Sequence, residues 1–386
     1  MSVLSHAAVS TQLNAIFVSL ELSRSTWLVT SLSPGRGERI SRHQVKGGDV
    51  PMLLERFAQL QARARERTGG QFPLVVIQEA GLDGFWIHRC LVREGIESHV
   101  VDAASIAASR RSRRAKTDKL DGEALVRTLL AYKRGEPRVC AMVTVPNVED
   151  EDRRRICRER RSLVVERIRH VNRVKGLLFA QGVGDYEPLR TDRRARLEEL
   201  TTGDGRPLPC HVKREIEREL DRLELVMRQI KEVERERDVM LKPDKATEAS
   251  PAPASARLLQ LRGIGPEFAG VLHAEAFFRS FSNRRQVACY AGLAPSPWQS
   301  GTMDREQGVS KAGNKRLRVT MIQVAWLWLR HQPTSELTLW YEERVRTNGG
   351  RVRRVMIVAL ARKLLIALWQ FSSAGVVPKG AVLKAA

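Results

Sequence analysis

Cysteine is scarce and scattered. Cys90, Cys140, Cys157, Cys210 and Cys289 make an odd set of five, and no two stand as a CxxC pair. That spacing suggests neither a zinc site nor a disulfide framework, so free thiols in a reducing cytosol are expected. Long apolar runs are also lacking. Met1 to Asn14 has no basic stretch leading into an apolar core, so it does not read as a signal peptide. The most apolar segment, Val355 to Trp369, is broken by Arg362 and Lys363. It falls short of the roughly 18 apolar residues of a membrane span. A cytoplasmic protein with no membrane partner is the expectation. No GxxxxGK[ST] loop occurs, so nucleotide hydrolysis is not the expected chemistry.

Acidic charge is in deficit. Lys and Arg number 66 against 44 Asp and Glu, a formal balance of +22. A surplus that large favours a polyanionic partner. Nucleic acid is the commonest, because each neutralised phosphate releases counterions. Apolar residues reach 42%, enough for real cores. At roughly 100–200 residues per domain, 386 residues suggest two or three domains.

Along the chain the texture changes twice. Residues 15–21 and 26–30 read as strand, turn, strand, and Pro51 to Arg67 has helical periodicity. Pro73 to Ile77 is a short apolar run of the kind found in a buried strand. A helix from Gly84 to Glu94 and a strand over Ser98 to Val101 follow. Strands alternating with helices imply an α/β layer over about 1–145. From Glu149 to Phe179, and again over 211–241, dense charge accompanies apolar residues at helical spacing. These stretches predict long helices of a coiled-coil-like part over about 146–245. Lys242 to Ala256 is rich in Pro, Ala and Ser and reads as a linker. A mostly helical part runs from 257 to 386. It opens on Leu261-Arg262-Gly263-Ile264-Gly265-Pro266, either a helix-hairpin-helix-like element that approaches a phosphate or an ordinary interhelical turn.

Four acids stand where chemistry could gather them. Glu21 ends the first strand and Glu79 follows the Val75–Ile77 run. Asp118 and Asp121 are i,i+3 neighbours if Thr117 opens a helix there. Carboxylates converging on one sheet edge repel unless a hard divalent cation such as Mg²⁺ or Mn²⁺ neutralises them. Paired ions would serve in-line phosphoryl transfer. A solvated helix start is the plain alternative for the aspartates. Arg110, Arg111, Arg113, Arg114 and Lys116 directly precede them, as expected where phosphates meet metals, or in a merely solvated loop.

The order strand–acid, EAGxDGFW (Glu79 to Trp86) and RRSRRAKTDKLDGEAL (Arg110 to Leu125) resembles the DEDD-type insertion-sequence transposases. That family includes the Piv-like DNA invertases and the bridge-RNA-guided recombinases. LxGIGPxxAGVL (Leu261 to Leu272), FxSFSNRRQVACYAGLAP (Phe278 to Pro295), WQSGT (Trp298 to Thr302) and GVSKAGNKRLR (Gly308 to Arg318) are similar to its C-terminal domain. The resemblance implies a RuvC-like, RNase H type first domain whose four acids, here Glu21, Glu79, Asp118 and Asp121, bind divalent metal. It also implies a serine nucleophile on DNA, matched by Ser300, a non-coding guide RNA, and work as a homo-oligomer. One departure is that the family's first acid is usually Asp, and Glu21 is one methylene longer.

A serine hydroxyl is a weak nucleophile without a base, a metal or a strong field. His273 and His331 are the histidines nearest Ser300 in sequence, and neither is adjacent. Activation by metal held on the acids is therefore the expected route, with Ser296 and Ser310 as lesser candidates. Lys311, Asn314, Lys315, Arg316 and Arg318 crowd one stretch and are expected on the phosphate backbone, unless they form a solvated helix face. Two rival functions fit the same charge. One is a junction-resolving nuclease that activates water, and the other a non-catalytic nucleic-acid scaffold.

Overall fold

The computed structural model describes residues 13–35, 39–81, 84–106, 118–137, 139–241, 254–300 and 303–384. For 104, 118–120, 254, 255, 297–300, 303–307 and 351 it describes the backbone alone. The chain divides into two compact units, Met1–Val145 and Pro146–Ala386.

In the first unit, β1 (Ile16–Glu21), β2 (Thr26–Leu32) and β3 (Ile40–Lys46) form an antiparallel meander. Helix α1 (Val50–Thr68) then crosses to β4 (Leu74–Glu79), which runs parallel to β1. Helix α2 (Trp86–Arg93) leads on to β5 (Glu97–Val101), parallel to β4. The strand order is β3-β2-β1-β4-β5. Local chemistry sets the boundaries of α1. The Asp49 carboxylate accepts the Met52 amide at 2.9 Å, Pro51 sits in the first turn, and Gly69 closes the helix at φ +74°. The alternation of strand side chains sorts the two faces of the sheet. Ile16, Val18, Leu20, Leu74 and Val76 pack with Leu53, Phe57 and Leu60 of α1 and with Ile87 and Leu91 of α2. Phe17, Val75 and Ile77 pack on the other face with Leu125, Val126 and Leu129 of α3 (Asp118–Lys133).

β3 was not expected. Its sequence, ISRHQVK, carries little apolar signal, and its residues are mostly half-buried or exposed, as suits the outermost strand.

The second unit opens with α4 (Val148–Phe179). Asn147 caps it, its side-chain oxygen accepting the Asp150 amide, and Glu149, Asp150 and Glu151 complement the helix dipole in the first turn. After the short α5 (Arg193–Glu198), α6 (Cys210–Met240) returns antiparallel. Arg160 meets Glu234 at 2.7 Å near one end of the pair, and Arg173 meets Glu215 at 2.6 Å near the other. Leu163, Val174 and Leu178 fill one seam with Ile216, Leu220, Leu223, Val226 and Ile230.

The same unit continues with α7 (Ala254–Leu259) and α8 (Pro266–Leu272), the latter running into a π turn at His273–Phe277. Helix α9 (Arg284–Tyr290) precedes a β-hairpin, β6 (Pro295–Ser300) and β7 (Met303–Val309). Helices α10 (Lys315–His331), α11 (Glu336–Asn348) and α12 (Arg353–Ala374) follow. Leu317, Met321, Val324 and Trp328 of α10 pack against Leu360, Leu364 and Leu368 of α12.

Two expectations need correction. The Leu261–Pro266 turn makes its close approach to protein. A Cβ at Gly263 would lie 2.7 Å from His331, the Arg262 carbonyl accepts from Gln332, and the Lys384 ammonium takes the Ile264 carbonyl. These contacts favour the interhelical turn over the phosphate loop. The Val355–Trp369 segment was read as too interrupted to span a membrane, yet α12 is long and apolar enough for that. Its Leu360, Leu364, Leu365 and Leu368 are buried in the helical core, which accounts for the composition.

Helix α3 lies close to the sheet because Gly122 has no side chain. The Ser19 hydroxyl donates to the Gly122 carbonyl at 2.7 Å, and a Cβ there would stand 2.6 Å from the Thr30 hydroxyl. We expect Gly122→Ala to destabilise the first unit by about 1–3 kcal/mol of overpacking, less about 1 kcal/mol of helix propensity regained. Thermal unfolding checks this: its transition should drop, and adding Thr30→Ala should restore it. A Gly122→Ala transition at or above wild type would contradict the packing.

Candidate functional site

The alternation that sorts the sheet core also places the acids. On β1, Phe17, Ser19 and Glu21 share the α3 face; on β4, Val75, Ile77 and Glu79 share it too. Leu20 pairs with Gln78, so Glu21 and Glu79 stand side by side one step further, at the carboxyl ends of adjacent parallel strands. Helix α3 approaches from its N-terminal end. Gly122 sits over Ser19, and later turns sit over Phe17. Asp118 lies one turn before Gly122 and Asp121 one turn before the buried Leu125, so both ride the sheet-facing side of the helix. Glu21, Glu79 and Asp121 are half-buried.

The donors are all carboxylate oxygens, which suits a hard divalent cation and not zinc or copper. Among the described residues, however, no three His, Cys, Asp or Glu side chains come close enough together to hold an ion. The backbone brings Glu21, Glu79 and the start of α3 to one edge of the sheet, and the side chain of Asp118 lies outside the described residues. Arg110, Arg111, Arg113, Arg114, Lys116 and the expected cap Thr117 lie outside the described residues.

Ser300 is the last residue of β6. It pairs with Met303 across a two-residue connection, so it stands at the tip of the hairpin. No strand was expected here, since PSPWQS and MDREQGV carry prolines and charge instead of alternating apolar residues. The hairpin is a two-stranded sheet on its own, with an irregularity between Pro295 and Pro297.

The basic stretch after the hairpin divides into two groups. Lys311 and Lys315 are exposed. The other three face inward. The Asn314 side chain caps α10 by accepting the Leu317 amide at 3.0 Å, and its amide nitrogen donates to Glu275 at 3.1 Å. Arg318 donates to the carbonyls of Ala291 (3.3 Å) and Lys311 (2.8 Å). Arg316 donates to the Cys157 carbonyl and lies 3.6 Å from Glu275. Burial pushes the Arg316 guanidinium below its ordinary value despite the Glu275 charge. Asn314, Arg316 and Arg318 are thus each engaged in contacts within the protein.

Glu275 was missed by the sequence analysis. Its carboxylate, 1% exposed, sits in the π turn and accepts from Arg158 Nε at 3.1 Å and Nη2 at 3.3 Å. Burial pushes this carboxyl up, but the Arg158 hydrogen bonds and charge, Asn314 and Arg316 outweigh it and hold it below its ordinary range. Arg154 adds a hydrogen bond to the Ala274 carbonyl at 2.8 Å and stacks over the Phe278 ring at 4.0 Å. Removing one partner of a buried ion pair costs about 3–5 kcal/mol, less here because Arg158 is 56% exposed. The only sequence signal was a lone Glu in an otherwise apolar helix, GVLHAEAFF.

Residues 255–339, which contain the π turn and the hairpin, match the family described as Transposase IS116/IS110/IS902. A putative transposase of Sinorhizobium fredii is 66% identical over 382 residues, covering 98% of this chain and 96% of that protein. The transposase for insertion sequence element IS1328 of Yersinia enterocolitica is 24% identical over 341 residues, 86% of this chain and 93% of that one. A probable family 20 transposase of Pseudomonas aeruginosa is 30% identical over 235 residues, 60% of this chain and 66% of that one.

The five cysteines are free, and their surroundings differ. Burial, with the Glu267 charge, pushes the Cys157 thiol up to about 11, whereas Cys210 and Cys289 are exposed. A thiol with a raised value stays protonated, and so unreactive, until the pH approaches that value. At pH 8 iodoacetamide should modify Cys210 and Cys289 in the folded protein and leave Cys157 intact, as read by peptide mass mapping. Labelling of Cys157 as fast as of Cys210 would contradict the packing of α4 on α8.

Proposed function

This chain belongs to the IS116/IS110/IS902 transposase family, and from that premise we propose that it cuts and rejoins DNA through a covalent serine–DNA intermediate at Ser300. The observation that carries the reading is the place of Ser300 at the tip of a two-stranded ribbon. A β-ribbon is narrow enough to enter a DNA groove, and its tip is the part that reaches furthest. In the proposed step the Ser300 Oγ bonds to the scissile phosphorus as the bond to one bridging oxygen breaks. The serine proton leaves, and a DNA hydroxyl is freed. The phosphodiester count is conserved, so reversal rejoins a strand without ATP, in keeping with the absence of a nucleotide loop.

The strand order β3-β2-β1-β4-β5, with acids ending β1 and β4 and two more on α3, supports reading the first unit as a RuvC-like domain. Glu21, Glu79, Asp118 and Asp121 would hold Mg²⁺ or Mn²⁺, which supplies positive charge to phosphoryl transfer when bound. The extra methylene of Glu21 lets it reach an ion from a strand end one atom further back. The charge of +22 and the exposed arginines Arg155, Arg161 and Arg169 on α4 support a guide RNA as a second polyanion. Exposed Val165 and Ile168 on the same helix support a homo-oligomer.

The test is adduct trapping. The protein, co-expressed with the RNA of its element, is mixed with labelled donor and target DNA and Mg²⁺ and run on a denaturing gel. Wild type should give a protein–DNA band that Ser300→Ala abolishes, and that Asp121→Ala lowers by at least about 10²-fold, the scale of lost transition-state charge stabilisation. Cleavage without an adduct, unchanged in Ser300→Ala, would replace the serine mechanism with hydrolysis by water. Full activity in Asp121→Ala would remove the metal role.

A further inference from the structure

The foot of the hairpin is fixed more tightly than a surface loop requires. On one side run residues 290–294, on the other 310–314. The Ser310 amide donates to the Ala294 carbonyl at 2.9 Å, Lys311 to Gly292 at 3.1 Å, and Asn314 to Tyr290 at 2.7 Å. Gly313, at φ +97°, passes so close that a Cβ would lie 2.5 Å from the Tyr290 carbonyl. Lys311 is held in the left-handed region at φ +57°, unlike any other described non-glycine residue. Such a residue persists only where its surroundings over-determine it, and such positions cluster at functional sites.

Asn314 closes this foot. Its side-chain oxygen is committed to capping α10, so its amide nitrogen must find an acceptor elsewhere, and it finds the Glu275 carboxylate. Glu275 is itself fixed by Arg158 of α4 and approached by Arg316 of α10. It projects from a π turn, a local defect that re-aims side chains and recurs at functional sites. A chain of direct contacts thus runs from α4 through Glu275 and Asn314 to the strand pair that ends at Ser300.

We propose that Glu275 is a positioning residue that sets the hairpin through Asn314, a role that rests on the reading of Ser300 as the reacting serine. It touches neither DNA nor the reacting atoms. The carboxylate serves two purposes that a neutral side chain cannot combine. It accepts from Asn314, and it neutralises the Arg158 and Arg316 guanidiniums that meet at the same point.

The experiment uses the full chain with its RNA, and compares wild type with Glu275→Gln, Asn314→Asp and Glu267→Gln. Asn314→Asp keeps a capping oxygen while setting two carboxylates face to face, so it breaks the proposed contact without uncapping α10. Glu267 of α8 pairs with Arg237 of α6 and Arg160 of α4 and not with the hairpin foot, so its variant controls for loss of a nearby ion pair on α4. Two readouts are taken: hydrogen exchange of peptides covering 292–300 and 308–314, and the adduct rate at saturating DNA beside DNA affinity.

Glu275→Gln and Asn314→Asp should speed exchange in those peptides about tenfold, with peptides from α12 unchanged. They should slow adduct formation about 10²-fold, the cost of misplacing a reacting group by about 1 Å. Affinity should stay within about threefold, since the loss lies in orientation and not in binding. Glu267→Gln should match wild type in both. Unchanged exchange overturns the proposal, as does faster exchange with an unchanged rate, or an equal loss in Glu267→Gln. If wild type cleaves DNA with no adduct, the serine reading fails, and exchange beside the cleavage rate still decides whether Glu275 positions the hairpin.

Discussion

A carboxylate cannot remain charged in an apolar interior without partners, and the second unit is arranged around one that has three. Glu275 gathers Arg158 from α4, Asn314 from the cap of α10 and Arg316 from its first turn. Each partner is committed elsewhere as well. Arg316 reaches the Cys157 carbonyl, and Asn314 caps α10 and ties the hairpin foot to Tyr290. One ionised group thus makes the long helices, the apolar core and the hairpin mutually dependent. Buried ion pairs are poor sources of net stability, and their better-attested use is to specify one arrangement over others. On the proposed mechanism, a hairpin that presents the Ser300 hydroxyl to a phosphate needs such specificity.

The first unit solves a different problem with simpler means. Strand alternation assigns Ile16, Val18 and Leu20 to one core and Phe17, Ser19 and Glu21 to the other face. The β1–β4 register sets Glu21 beside Glu79, and small residues at Ser19 and Gly122 let α3 approach with its two aspartates leading. Core packing and the gathering of acids follow from the same period of two.

Much of this was legible in the sequence. Buried parallel strands announce themselves as apolar runs, and α4 and α6 as charge-rich segments with an apolar repeat. β3 was not legible because a strand with little buried surface needs no apolar alternation, and the β6–β7 hairpin was not because PSPWQS and MDREQGV carry prolines and charge in its place. The contacts of the basic stretch were hidden for another reason. Asn314, Arg316 and Arg318 look like phosphate contacts when read in line. Their partners are Glu275, about forty residues earlier, and the carbonyls of Cys157 and Ala291, which no local pattern reveals. Glu275 itself reads as an isolated charge in an apolar helix. Only the fold shows that two guanidiniums and an amide converge on it.

The claim on which the account turns is that Ser300 becomes joined to DNA. The most direct measurement is to digest the trapped protein–DNA species with protease and nuclease and to sequence the nucleotide-bearing peptide by mass spectrometry. The account predicts one modified peptide, with the residual nucleotide on Ser300 at the end of β6. A nucleotide on Ser296, Ser310 or any residue outside the hairpin would contradict it.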